Sequence, residues 1–170
     1  MTFEIAKTVE FDAGHRVPNH NSKCRNPHGH RYSVEVSLEG YLVDTSGASD
    51  EGMVADFGDL KRIMMDKIHD PLDHGFIVHV DDSDLLTRFG YYRDRGARVV
   101  AWHRHHDAPD WKVIIFPYIP TAENLAKWCF EQLRTPINDA FGRYDLRIKN
   151  VSVWETPTSV AVFTYEDGLA

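Results

Sequence analysis

The N-terminal part of the chain alternates between apolar and polar positions in two long stretches. The earlier stretch, residues 3–15, repeats apolar side chains at every second position, with one interruption at Lys7. The later stretch, residues 28–39, alternates without a break. Side chains two residues apart share one face of a strand, so both stretches are predicted to be strands with one buried face. The polar, proline-containing loop between them favours an antiparallel pair.

Two helices are predicted from apolar residues that recur at helical spacing. Asp56 can cap the first helix, whose apolar stripe runs to Ile68. Pro71 is expected to stop it, because proline has no N–H to donate into a helix. Thr121 can cap the second helix, and Pro136 is expected to end or kink it. The buried stripe of the second helix is predicted to contain Leu125, Trp128, Cys129 and Leu133.

The segment between the two helices carries weaker patterns. A short helix is expected within residues 81–89, started by Asp82 or Ser83. Two strands are expected at 97–102 and 111–117, with the histidine-rich residues between them forming a hairpin tip.

The C-terminal part contains two more predicted strands. They cover residues 147–155 and 160–165, and Pro157 separates them. With no repeat and no linker, the order of elements predicts one α+β domain over residues 1–170. Its expected architecture is an antiparallel sheet with two main helices on one face.

Composition narrows the class of protein. Of the 170 residues, 42% are hydrophobic, which argues against general disorder. Nineteen basic residues stand against 26 acidic ones, a net charge of −7, which argues against nucleic acid or an anionic membrane as the main partner. No apolar run is long enough to span a bilayer, and the N-terminal segment lacks a signal-peptide pattern. A cytoplasmic location is therefore expected.

Three histidines share the buried parity of the two N-terminal strands. His28 and His30 open the second strand, and His15 closes the first. In an antiparallel pair all three side chains would meet on the inner face near the connecting loop. Three neutral imidazoles suit Zn²⁺, with a fourth position open for water or substrate. The alternative is that they are core histidines satisfied by hydrogen bonds.

Two cysteines do not make a disulfide framework, and they differ in setting. Cys129 falls among apolar residues of a predicted helix and is interpreted as an inert core thiol. Cys24 falls in the polar loop before His28. It is either a fourth metal ligand in a closed structural site, or a base or nucleophile beside the metal. A loop thiol without a role is the third possibility.

Two further positions carry candidate chemistry. Asp73 and His74 form a carboxylate–imidazole neighbour pair that can tune an acid or base, although neighbours in extended chain point apart. Asp73 as a simple turn residue is the alternative. Glu155 has the inward parity of its strand and needs a partner or a ligand, such as a ring with two adjacent donors. A solvent-exposed strand end is the alternative there.

The cluster His103, His105 and His106 could bind metal. Neither its spacing nor the surrounding pattern fixes such a site. A solvated hairpin tip is the favoured interpretation.

Six segments together resemble the 6-pyruvoyltetrahydropterin synthase/6-carboxytetrahydropterin synthase family. They are FDAGHR at 11–16, KCRNPHGH at 23–30, GMVADFGDLK at 52–61, LDH at 72–74, PTAEN at 120–124 and VWET at 153–156. Each motif is modest, but the ordered set is specific and covers most of the chain.

The resemblance implies roles for seven residues. His15, His28 and His30 match the family's zinc ligands. Cys24 matches the catalytic cysteine, Asp73 and His74 match its proton-transfer partners, and Glu155 matches the glutamate that anchors the pterin. The implied architecture is the tunnelling fold, whose sheets join into a barrel in a homohexamer with sites between subunits.

The spacing before the histidine pair distinguishes the family's two main activities. The 6-carboxy enzymes typically have three residues between the cysteine and His-Gly-His, and the 6-pyruvoyl enzymes have five. Here the three are Arg25, Asn26 and Pro27. The resemblance thus implies conversion of 7,8-dihydroneopterin triphosphate to 6-carboxytetrahydropterin, acetaldehyde and triphosphate, a step toward queuosine and other 7-deazapurines.

Two other functions stay open at this point. A sister enzyme could form 6-pyruvoyltetrahydropterin or act on another pterin side chain, since the long insertion at about 76–119 departs from compact family members. A non-enzymatic module could instead use Cys24 and the three histidines as a closed zinc site.

Overall fold

The computed structural model of the protein describes residues 1–93, 102–164 and 166. Within these ranges eight strands are present: β1 (Phe3–His15), β2 (His28–Gly40), β3 (Gly75–His79), β4 (Tyr91–Arg93), β5 (Trp102–Arg104), β6 (Val113–Phe116), β7 (Arg147–Thr156) and β8 (Ser159–Thr164). The same ranges contain four α-helical segments: α1 (Phe57–Met64), α2 (Asp70–Leu72), α3 (Ser83–Arg88) and α4 (Ala122–Phe141). A 3₁₀ turn at Lys23–Arg25 and a π turn at Met65–His69 complete the helical structure.

The pairing of β1 with β2 is the predicted antiparallel hairpin. The register matches Phe3 with Gly40 at one end and His15 with His28 at the other. β7 adds to β2 and β8 adds to β7, both antiparallel. Each of these neighbours follows the alternation seen in the sequence, which places one apolar face of the four strands on the same side.

The other edge of the sheet departs from the antiparallel prediction. β3 pairs with β1 in parallel, and β6 pairs with β3 in parallel, giving the order β6-β3-β1-β2-β7-β8. The sheet is therefore mixed. A parallel neighbour needs a crossover connection, and α1 with its continuation to α2 supplies the one that leads into β3.

The predicted hairpin in the middle segment is wrong. β6 confirms a strand within 111–117, but its partner is β3. β5 pairs instead with β4, as Tyr92 opposite His103 shows. Of the strand expected at 97–102, only Trp102 lies within the described residues. That 76–119 is an insertion in a single domain stays a prediction.

The caps of both main helices are those predicted. The Asp56 side chain accepts from the backbone N–H of Gly58 at 2.6 Å, and Thr121 Oγ1 accepts from that of Asn124 at 3.4 Å. The helical structure ends one residue after Pro71, close to the predicted stop, whereas Pro136 does not end the second helix. The first helix continues through the π turn past Pro71 to Leu72, and α4 continues past Pro136 to Phe141.

The core lies between the helices and the inner face of the sheet. Side chains from both main helices and from the central strands are fully buried there, among them Leu60, Met64, Leu125, Leu133, Val34, Val36, Leu38, Val151 and Val153. Removal of this apolar area from water supplies most of the stability, about 25 cal/mol per Å². None of the helices in the described ranges is long and apolar enough to cross a membrane.

The short helix α3 is tied to the end of β1. The Arg16 guanidinium follows His15 and binds both carboxylate oxygens of Asp82, with Nε donating to Oδ2 at 2.6 Å. Asp82 also caps α3 by accepting from the backbone N–H of Leu85 at 3.1 Å, and it is buried. The middle segment is thereby held against the strand that carries the first histidine.

We expect Asp82→Ala to destabilise the protein by about 2 kcal/mol, because it removes a helix cap and leaves the Arg16 guanidinium without its main partner. Urea unfolding followed by circular dichroism measures this change. Asp84→Ala is the matched control. Asp84 is exposed, and its carboxylate makes a longer contact of 3.3 Å with Arg16. Its replacement should therefore lower the free energy of unfolding by less than about 0.5 kcal/mol. Equal costs for both variants would contradict the anchoring role of Asp82.

Candidate functional site

The structure brings His15, His28 and His30 together. One ring nitrogen of each lies within 4.8 Å of those of the other two, a spacing that could hold a metal ion. The β1–β2 register explains this, since His15 is paired with His28, and Ala13 with His30. The cluster therefore follows from strand parity and register. Whether the histidines act as metal ligands stays a prediction.

Backbone carbonyls orient two of the rings. His15 Nδ1 lies 2.7 Å from the Pro120 carbonyl oxygen, and His28 Nδ1 lies 2.8 Å from the Asn26 carbonyl oxygen. A carbonyl can only accept, so each Nδ1 carries the hydrogen and each Nε2 is directed elsewhere. This arrangement is common for metal-binding histidines, whose second nitrogen is held by an outer partner.

Two nitrogen atoms of the cluster have no hydrogen-bond partner among the described residues. They are His15 Nε2 and His30 Nε2, both buried. Buried polar atoms are almost always paired. Burial lowers the pKa of His15 and of His30, although the Glu155 carboxylate acts in the opposite direction. Neutral rings with free lone pairs are the form that binds a metal cation, so the residues fit such an ion.

Glu155 lies beside this cluster rather than at an exposed strand end. Its Oε1 is 3.4 Å from His15 Nε2 and 3.8 Å from His30 Nε2. The pairing of β7 with β8 shifts register between Trp154 and Thr156, which leaves Glu155 as the extra residue of a bulge. The carboxylate lies on the inner side with the histidines, as the parity that Glu155 shares with Val151 and Val153 predicts.

Tyr32 is a member of the site that the sequence argument did not single out. Its side chain is fully buried, its hydroxyl lies beside the Glu155 carboxylate, and its ring packs edge-on against His15 and His30. Burial raises the pKa of Tyr32, and Glu155 raises it further. The sequence does contain a signal for Tyr32, because Tyr32 has the same strand parity as His28 and His30.

Cys24 lies in the turn between the strands and is partly buried. Its carbonyl accepts from the Val17 backbone N–H at 2.8 Å, which closes the loop. Among the described residues, the metal-compatible group contains the three histidines without this thiol. The thiol therefore belongs to the loop between the two strands and lies outside the metal-compatible group.

Asp73 and His74 interact directly, although sequence neighbours in a strand point apart. His74 adopts a left-handed backbone with φ of 55°, and its Nδ1 lies 2.7 Å from Asp73 Oδ2. Asp73 Oδ1 accepts from the Asp12 backbone N–H at 3.0 Å. This bond, followed by that with His74, lowers the pKa of Asp73. The pair is thus an ionised carboxylate that holds one nitrogen of an imidazole.

Lys112 fixes the turn that carries this pair, which the sequence argument missed. Its Nζ donates to the carbonyl oxygens of Asp70 at 2.6 Å and Asp73 at 2.7 Å. The His74 backbone N–H donates to the Asp12 carbonyl at 2.7 Å, which joins the turn to β1. The His74 side chain itself is 80% exposed, so its ring can reach a molecule outside this chain.

Two open clefts adjoin at His30. One, of about 660 Å³, is lined by Glu155 together with Thr8, Glu10, Ser33 and Glu35. The other, of about 510 Å³, is lined by His74 together with Asp12 and Arg31. Since His30 lines both, the cleft that Glu155 lines adjoins the cleft that His74 lines.

The cluster His103, His105 and His106 forms no metal-compatible group within the described part of the chain. His103 belongs to β5, and the Tyr92 ring packs against His103 and His105 at 5.5 and 4.8 Å between centroids. All three histidines are exposed. The favoured interpretation as a solvated surface agrees with this, although the first residue lies in a strand.

Comparison with known proteins gives consistent matches over the whole described fold. The family model described as 6-pyruvoyl tetrahydropterin synthase matches residues 4–166. A Haemophilus influenzae protein named 6-carboxy-5,6,7,8-tetrahydropterin synthase is 34% identical over 157 residues, covering 92% of this chain and 95% of that protein. An Aquifex aeolicus protein of the same name is 30% identical over 189 aligned positions, covering 98% and 100%.

Solved structures show the same fold. An uncharacterized protein from Wolinella succinogenes superposes with a TM-score of 0.71 at 27% identity, covering 97% of this chain and 99% of that one. The 6-pyruvoyl tetrahydropterin synthase of Caenorhabditis elegans superposes with a TM-score of 0.58 at 21% identity, covering 96% of each chain.

We expect the protein to bind one divalent transition-metal ion per chain, and His28→Ala to weaken that binding at least 100-fold, because one of three imidazole ligands is lost. Competition with a chromogenic chelator measures the affinity. His20→Ala is the control, since His20 lies in the loop that precedes β2 and its ring accepts a hydrogen bond from the Ser22 backbone N–H. Equal affinity of His28→Ala and the parent protein would rule out the histidine cluster as the binding site.

Proposed function

Because the chain belongs to the 6-pyruvoyl tetrahydropterin synthase family and is therefore a lyase, we propose that it forms 6-carboxy-5,6,7,8-tetrahydropterin. The predicted α+β tunnelling fold is confirmed by the superposed structures. The proposed substrates are 7,8-dihydroneopterin triphosphate and water, and the other products are acetaldehyde and triphosphate. This reaction would supply the pathway to queuosine and other 7-deazapurines.

The observation that carries this proposal is the convergence of the histidine cluster, Glu155 and the Cys24 turn at one end of the β1–β2 pair. Curated relatives that carry the 6-carboxy name cover nearly the whole chain. The three-residue spacing between Cys24 and His28 supports the same choice over the 6-pyruvoyl activity.

We assign Zn²⁺ to the site, held by His15, His28 and His30. When bound there it would supply Lewis-acid chemistry, withdrawing charge from substrate oxygens and so acidifying the neighbouring carbon. The unpartnered Nε2 atoms of His15 and His30 support this assignment, as does the donor set of three imidazoles.

The roles proposed for the remaining residues are those that the family motifs imply, and contacts support the roles of His74 and Glu155. Cys24, as a thiolate, takes a proton from the substrate side chain. Asp73 holds His74 Nδ1, which leaves Nε2 of that ring to exchange protons with the substrate. Glu155 anchors the pterin by accepting from two adjacent donors of the ring, in the cleft that it lines with Thr8 and Ser33.

We further propose that the protein assembles as a homohexamer with sites shared between subunits. The exposed ring of His74 supports this, because a proton-transfer group that faces solvent is incomplete until another surface covers it. The exposed outer side chains Val160 and Val162 of the edge strand β8 also favour pairing with a second sheet.

Incubation with 7,8-dihydroneopterin triphosphate should yield 6-carboxytetrahydropterin and acetaldehyde in equal amounts. Liquid chromatography with mass detection of both products measures this. Formation of 6-pyruvoyltetrahydropterin without acetaldehyde would replace the proposal with the sister activity, and no conversion of any pterin triphosphate would remove both.

We expect Cys24→Ala to reduce turnover at least 100-fold while leaving bound zinc unchanged, because the thiol acts on the substrate and not on the ion. Steady-state turnover and metal content of the same preparation are the two measurements. Cys129→Ala serves as control, since Cys129 is fully buried in α4 and its replacement should leave turnover intact. Loss of one zinc per chain in Cys24→Ala would instead support the closed, non-enzymatic zinc module.

A further inference from the structure

The Glu155 carboxylate lies beside the Tyr32 hydroxyl, which can donate to it, and beside two imidazole nitrogen atoms that cannot both donate to it. Its Oε1 lies 3.4 Å from His15 Nε2 and 3.8 Å from His30 Nε2. Since the hydrogen of a neutral His15 is on Nδ1, bonded to the Pro120 carbonyl, Nε2 presents a lone pair. An ionised carboxylate is also only an acceptor. Two acceptors in contact repel each other unless a positive charge lies between them.

A metal ion supplies that charge more completely than a proton does. A proton on His15 Nε2 would satisfy one contact and leave His30 Nε2 buried without a partner. One ion at the centre of the cluster serves both. With ligand bonds of about 2.0–2.1 Å, adjacent ligand atoms of a tetrahedral zinc site lie about 3.4 Å apart. The 3.4 Å contact between Glu155 and His15 has that length.

The carboxylate approaches from one side of the cluster. The atoms that all lie within 4.8 Å of one another belong to the three histidines, without Glu155. Glu155 therefore stands next to His15 and His30 and away from His28. Its place in a bulge of β7 allows a small movement of the side chain without loss of strand pairing on either side.

We propose that Glu155 occupies the fourth position at the metal while no pterin is bound, and leaves it when the ring takes the carboxylate. The inference rests on the proposed function only in naming a pterin as the competing ligand. The Glu155 side chain would bind the metal ion and the pterin ring in turn. Binding of a pterin would therefore free one coordination position at the ion. Glu155 therefore has a second role, beyond that of a ring anchor.

The experiment uses the full chain loaded with Zn²⁺ for affinity and with Co²⁺ for its visible absorption spectrum. Glu155→Gln should weaken zinc binding at least tenfold, since even groups that only support a ligand contribute 10–100-fold. Glu35→Gln is the matched control: it removes the same charge from the same cleft, and in the described part of the chain Glu35 contacts Thr8 rather than a histidine. Any loss of zinc affinity should therefore stay well below tenfold.

The competing ligand is tested with unsubstituted pterin. Its addition should change the Co²⁺ spectrum of the parent protein, because a carboxylate leaves the ion. The Co²⁺ spectrum of Glu155→Gln should not change. Thermal unfolding checks that each variant is folded, and Glu155→Asp, which keeps the charge on a shorter side chain, should recover part of the zinc affinity.

The outcomes separate this inference from the proposed function. Parental zinc affinity in Glu155→Gln overturns the inference, and loss of pterin binding in the same variant would then leave the anchoring role standing. A Co²⁺ spectrum of the parent protein that does not change when pterin is added also overturns the inference. Weakened zinc binding together with the pterin response supports it even if the protein does not form 6-carboxytetrahydropterin.

Discussion

The register of β1 against β2 is the constraint on which the site depends. It sets His15 opposite His28 and Gly14 opposite Gly29. A slip of one residue would turn every side chain of one strand to the other face, so the buried apolar face fixes the histidines as well as the core. Gly14 is required there: a Cβ at that position would lie 2.5 Å from the Phe76 ring, where β3 joins β1.

The rest of the site is added to this hairpin from distant parts of the chain. Pro120, which precedes α4, orients the His15 ring through its carbonyl, and the bulge of β7 brings in Glu155. Asp12 joins the Asp73–His74 turn to β1 through both of its backbone groups. Each addition is a hydrogen bond or a strand pair with β1 or β2. The candidate site is therefore assembled on the β1–β2 hairpin, whose pairing follows from a local sequence pattern.

The difference between the local hairpin and the contacts from distant segments explains which parts of the fold and site could be predicted from the sequence. Strand parity predicts the β1–β2 hairpin, the meeting of the three histidines and the inward direction of Glu155. The caps Asp56 and Thr121 begin the two main helices where the sequence indicates. Contacts between distant segments carry no such local signal. The parallel addition of β3 and β6, the left-handed conformation of His74 and the bond from Lys112 to the Asp73 carbonyl all depend on them. The family motifs supplied the role of Cys24, because the position of a thiol in a loop leaves ligand and base equally open.

The proposed roles of Glu155 would relate recognition of the substrate to the reactivity of the site. A carboxylate beside the three histidines would reduce the positive charge that a bound ion presents. A pterin that took this carboxylate through its own donors would remove that effect. The electrostatic strength of the site would then be greatest with the reacting side chain in place. A bulge in an otherwise regular strand is the structural feature that permits it, because it frees one residue from the ladder without disturbing the register that holds the histidines.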